Sequence, residues 1–209
     1  MYKIKYAFLW LSLICVIAFA LQNLTGGFTE LFVLNFYALY GFQVWRFLTA
    51  IFLHGGIVHL LYNLFALLFF GFILERKIGS RNFLIVFFIS GIIGNIIAIN
   101  FYSSSLGASG AIYGILGCLA IINPMMMVFA FGILMPMFIA AIVWIIGDLM
   151  GVFGFGGSNI GYIAHLGGVF VGIAAGILIR WIYLKENEKE GRVIIDEKSI
   201  GEWENRWMR

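Results

Sequence analysis

The sequence predicts an all-α polytopic membrane protein of six transmembrane helices with an interfacial first outer loop. Three observations lead there. Hydrophobic residues make up 63% of the 209 and charged ones 11%, with a mean hydropathy of +1.03; soluble domains carry about a quarter charged residues. Apolar runs able to cross a hydrocarbon core of about 30 Å recur along the chain. The basic residues gather at alternate ends of those runs, as the positive-inside rule describes for a multi-pass chain. The net charge of +3 serves that topology and points to no nucleic-acid partner.

The first run, 6–22, follows Lys3 and Lys5 and has the outline of a signal peptide. Leu21-Gln22-Asn23 offers no small-residue cleavage site, so it reads as a retained span. The stretch 23–56 is too broken to cross. Its Phe28, Phe32, Phe36, Tyr37, Tyr40, Phe42, Trp45 and Phe47 favour the headgroup level. Further spans are expected at 57–74, 82–101, 109–122, 125–147 and 161–184, with a Gly- and Phe-rich loop, 148–160, expected to be mobile. Residues 1–184 form the membrane domain, and 185–209 a charged cytoplasmic tail holding more than half of the chain's charges. Arg76, Lys77 and Arg81 join the second and third spans and Arg180 ends the sixth, which places both termini in the cytoplasm of a plasma-membrane protein and 23–56 outside. Cys15 and Cys118 fall within spans, so no disulfide framework is expected.

The chain is organised around Gly107-Ala108-Ser109-Gly110-Ala111-Ile112-Tyr113-Gly114. From Ser109 to the breaker Asn123-Pro124 a helix of about 15 residues is roughly 22 Å long, too short to cross unaided. Its start is therefore sunk below the outer surface, with free backbone N–H groups and a hydroxyl facing a recess. His54, His59, Asn63 and His165 fall in the same outer leaflet under this topology. Ionisable groups inside a membrane commonly line a cavity. Gly168, Gly172 and Gly176 form a small-residue stripe on the sixth span, and Gly110, Gly114 and Gly117 one on the fourth, so the two helices are expected to pack backbone to backbone and bring Ser109 to His165. A neutral histidine is the usual base for a serine nucleophile, and free N–H groups at a helix start can hold an oxyanion. His59 and Asn63, four apart on one helical face, can donate to the same anion. With no Asp or Glu expected to be buried nearby, the reading is a dyad rather than a triad.

At these residues the chain resembles the rhomboid intramembrane serine proteases. The pieces are Trp45-Arg46, His54 with His59-Leu60-Leu61-Tyr62-Asn63, Gly107-Ala108-Ser109-Gly110, and Ala164-His165-Leu166-Gly167-Gly168, in that order across nearly the whole membrane core. The resemblance implies Ser109 as nucleophile and His165 as base. It implies an oxyanion hole from the Ser109 N–H, His59 and Asn63, with Tyr113 stacked on His165 and Gly107 and Gly110 flanking the serine. It further implies cleavage of single-pass membrane proteins in or near their transmembrane segments within the lipid bilayer, without metal or cofactor. The fifth span and the 148–160 loop would be gate and cap, and Arg46 would hold the outer loop through backbone carbonyls.

Competing readings stay in view. His54 has either a direct catalytic role or an interfacial or water-network role. Three histidines could hold zinc, but no His-Glu-x-x-His or companion carboxylate is present. Asp148 suggests an aspartyl protease, which needs a second carboxylate. Asn95 and Asn100 read as interhelical hydrogen bonds, and Glu75 as a cytoplasmic helix end. A non-catalytic relative binding transmembrane segments is the main alternative to the enzyme; a transporter would want polar residues through the full depth.

Overall fold

Residues 5–157 and 160–190 are described by a computed structural model. Helix α1, Ala7–Leu24, starts with backbone donors that have no partner within the helix. Glu75 satisfies two of them: its carboxylate oxygens each accept a bond of 2.9 Å, from the N–H of Ala7 and of Phe8, while the Ser80 hydroxyl donates to the same group. Glu75 is thus a buried cap that locks α1 to the next helical arm, not a free helix end. Glu75→Ala is expected to cost about 1–3 kcal/mol, because it leaves those donors buried and unmet. Glu75→Gln should cost less. Thermal unfolding midpoints in detergent read both.

The outer stretch folds as short pieces: α2 (Phe28–Phe32), β1 (Leu34–Asn35), α3 (Tyr37–Tyr40), α4 (Arg46–Thr49) and a tight turn at Ala50–Phe52. Arg46 organises them. Its Nη1 donates to the carbonyls of Glu30 (2.6 Å) and Val33 (2.7 Å), and its Nε donates to Gln43 Oε1. The Trp45 indole donates to the Leu31 carbonyl, and Asn95 ties the loop to the bundle through the Phe47 carbonyl. Asn100 instead donates to the carbonyls of Ile96 and Ile97 at the end of its own helix, so it makes no interhelical bond among the described residues.

Helix α5, Ile57–Ala66, runs through a π turn at Leu67–Gly71 into α6, Phe72–Ala98. The 42 residues from Ile57 to Ala98 would reach about 63 Å if straight, twice the hydrocarbon core. Gly79 breaks the run with φ 76°, a conformation open to glycine, and divides it into two arms. Among the described residues four helices are long and apolar enough to cross a membrane: Ala7–Leu24, Ile57–Ala98, Met137–Phe155 and Tyr162–Ile182. Ser109–Ile122 (α7) is apolar but only 14 residues long.

The expected span 125–147 is corrected. Its first half is a hairpin of β3 (Met127–Ala130) and β4 (Ile133–Pro136), turned at Phe131 and Gly132, both at positive φ. Apolar content alone cannot separate a short strand from a helix. Helix α8 begins after Pro136 and spans Met137–Met150. The 148–160 loop is corrected as well: α8 and a π turn at Gly151–Phe155 occupy its first half, and Tyr162 packs its ring against the bare backbone of Gly151 and Gly156.

Helix α7 stands at the centre, with Gly110, Gly114, Ile115, Gly117 and Cys118 among its buried residues. Helix α9, Tyr162–Glu190, extends past the expected boundary at 184 and crosses α7 at backbone contact. A Cβ at Gly168 would overlap the Gly110 carbonyl oxygen, and one at Gly172 the Gly114 carbonyl oxygen. Residues 191–209 of the tail lie outside the described residues.

Candidate active site

The entry to α7 is held from two sides. Ser104–Ser105 (β2) pairs antiparallel with β1, and the Gly107 N–H donates to the Ala50 carbonyl at 2.9 Å. Gly107 sits at φ +124°, and a Cβ there would lie 2.8 Å from His59 Cε1. Glycine is therefore required twice, by conformation and by the ring beside it. Ser109 then opens α7 as its first residue, with Ile112 N–H to the Ala108 carbonyl as the first backbone bond of the helix. The N–H groups before Ile112 precede the intrahelical ladder. Gly110 lets the Ala164 carbonyl come within 3.3 Å of where a Cβ would be.

His165 lies in the first turn of α9, 8% exposed. Its Nε2 is 2.8 Å from Ser109 Oγ. The Tyr113 ring stacks on the imidazole, with centroids 4.3 Å apart and planes 10° from parallel. Its other nitrogen, Nδ1, is 3.2 Å from Asp148 Oδ1. Asp148 is 5% exposed. The expectation that no carboxylate is buried nearby is therefore corrected. The error lay in treating residue 148 as the start of a loop. Because α8 continues to Met150, Asp148 falls on the helix face of Met137 and Ala141, seven residues beyond Ala141, and turns inward with them. That spacing was the available signal.

His59 and Asn63 project from α5 into the same cavity of about 1630 Å³, which Ser109, Tyr113, Trp144 and His165 also line. Asn63 Nδ2 donates to the His59 carbonyl at 2.8 Å, using one of its two N–H donors. His54 is buried beneath them, its ring 5.2 Å from that of His59 and its Nδ1 3.2 Å from the Phe52 carbonyl. Burial, and secondarily the His59 ring, push the His54 imidazole down to about 4, which keeps it neutral near pH 7. Gln22, a residue sequence reasoning passed over, brackets the His54 backbone: its Oε1 accepts from the His54 N–H and its Nε2 donates to the His54 carbonyl.

A rhomboid domain model matches residues 41–182, which takes in all of these side chains except Gln22. The chain is 42% identical over 135 residues to rhomboid protease GluP of Bacillus subtilis, covering 63% of this chain and 25% of that protein. It is 32% identical over 148 residues to putative rhomboid protease YdcA of the same organism, covering 69% and 70%. It is also 34% identical over 79 residues to inactive RHOMBOID-like protein 8 of Arabidopsis thaliana, covering 37% and 22%. With several of its curated relatives the match takes in between a fifth and under half of their length. The domain match spans well over half of the sequence, and the chain belongs to the rhomboid family.

Proposed function

We infer that this protein is an intramembrane serine endopeptidase that hydrolyses peptide bonds in or near the transmembrane segments of single-pass membrane proteins. The supporting observation is the 2.8 Å approach of Ser109 Oγ to His165 Nε2 within a large cavity. Ser109 Oγ adds to the scissile carbonyl carbon while its proton passes to His165 Nε2. The resulting oxyanion takes hydrogen bonds from the Ser109 N–H, His59 and the free donor of Asn63. Collapse of the adduct expels the amine, which takes the proton from Nε2, and leaves an ester on Ser109. A water, deprotonated by the same nitrogen, then hydrolyses that ester. These steps draw on no metal and no cofactor.

The cavity wall suits such a substrate. Phe65, Phe69, Phe70 and Trp144 line it alongside the polar groups, so an apolar segment can enter while its peptide bond meets donors. The reading includes six crossings, with the two arms about Gly79 counted separately and α7 spanning short. Both termini are then on the cytoplasmic side of a plasma membrane, and the site opens outward.

Purified protein in liposomes with a single-pass substrate tests the reading. Wild type should cut the substrate and should take a fluorophosphonate label on Ser109. Cleavage that survives Ser109→Ala would overturn it. A folded wild type that neither cuts nor labels would move the protein to the class of its inactive relative, a binder of membrane segments.

A further inference from the structure

We propose that Asp148 is a positioning residue that sets the tautomer and orientation of His165, so that the working unit is three residues long. This rests on the protease reading above. The two imidazole nitrogens face opposite partners: Nε2 is 2.8 Å from Ser109 Oγ and Nδ1 is 3.2 Å from Asp148 Oδ1. A carboxylate only accepts, so this contact requires the proton on Nδ1. Nε2 then carries the lone pair and can take the Ser109 proton. When it does, the imidazolium forms beside a buried negative charge that needs no rearrangement to stabilise it.

Asp148 meets His165 through Oδ1. Its second oxygen, Oδ2, is buried without a hydrogen-bond partner among the described residues. The Tyr113 ring stacks on the same imidazole. A buried carboxylate left without a hydrogen-bond donor is costly, and the Nδ1 of His165 lies within hydrogen-bond distance of Asp148 Oδ1.

The placement also couples the site to α8. The buried residues of α8 are Met137, Ala140, Ala141 and Asp148. Beyond Ala141, therefore, the one buried residue of this helix is the one that meets the imidazole. Moving that end of α8 away from α9 separates Asp148 from His165 and leaves the tautomer of His165 unspecified.

Two readouts test the inference. The first is the ¹⁵N spectrum of histidine-labelled protein, with His165 assigned through His165→Gln. It should show the Nδ1–H tautomer in wild type and its loss in Asp148→Asn. The second is turnover. Asp148→Asn should lower kcat by about tenfold or more with KM changed by less than about twofold, and Asp148→Glu should recover part of the loss. A wild-type His165 protonated on Nε2 would overturn the inference without any variant. So would an Asp148→Asn enzyme with kcat within about twofold of wild type. If wild type neither cuts nor takes the fluorophosphonate label, the protease reading fails on its own, and the tautomer still decides the role of Asp148.

Discussion

Ser109→Ala and His165→Ala are each expected to lower substrate cleavage by about a thousandfold or more, and the double variant is expected to fall no further than the worse single. In the proposed mechanism the hydroxyl and the imidazole act in one step. With Oγ and Nε2 at 2.8 Å, the proton leaves the serine as the carbon–oxygen bond forms, so neither group retains its contribution without the other. Independent contributions would add, and the double variant would then be slower than either single by the product of the two losses. The residual rate in all three should be the same, set by the hydrogen-bond donors of the cavity. Single-turnover cleavage of a membrane substrate in liposomes measures it. A double variant slower than both singles by another tenfold would show that Ser109 and His165 act separately, which this geometry does not allow. Chelator should leave the wild-type rate unchanged, because the proposed step uses side chains alone.

Much of this site was legible in the sequence because its parts are local. Gly107 through Tyr113 form one continuous stretch that sets a conformation, a helix start and a stacking ring within a turn of each other. The glycine stripes of α7 and α9 come from spacing alone, and the positions where a Cβ would overlap the opposite backbone are members of those stripes. What stayed hidden depended on where elements begin and end. The fifth span was drawn from residue 125 because Met125 through Met135 is as apolar as helix α8 itself, and hydropathy is blind to a hairpin. The same misplaced frame put Asp148 in a loop. Once the helix is started at Met137, residue 148 lies three turns on and faces inward. Glu75 and Gln22 were missed for a different reason. Each bonds backbone groups more than 30 positions away in sequence, and no local pattern announces such a partner.

Gly168→Ala is expected to destabilise the fold at or above the upper end of the 1–3 kcal/mol or so that overpacking typically costs, and to abolish cleavage with it. The reason is what the added methyl would meet. At Gly168 the obstacle is the carbonyl oxygen of Gly110, one residue after the proposed nucleophile. A flexible side chain could swing aside, but a helical carbonyl moves only with its helix. Helix α9 must therefore shift away from α7, and His165, one turn earlier on α9, shifts with it. Its 2.8 Å bond to Ser109 does not survive a displacement of that size. Gly147→Ala is the matched control. It replaces a helical glycine whose added Cβ has nothing within 4 Å, and helix propensity alone favours alanine by roughly 0.5–1 kcal/mol. The two substitutions are chemically identical and should move the thermal midpoint in opposite directions. Equal midpoints would mean that α7 and α9 do not meet at backbone contact, and the approach of Ser109 to His165 would lose its physical basis.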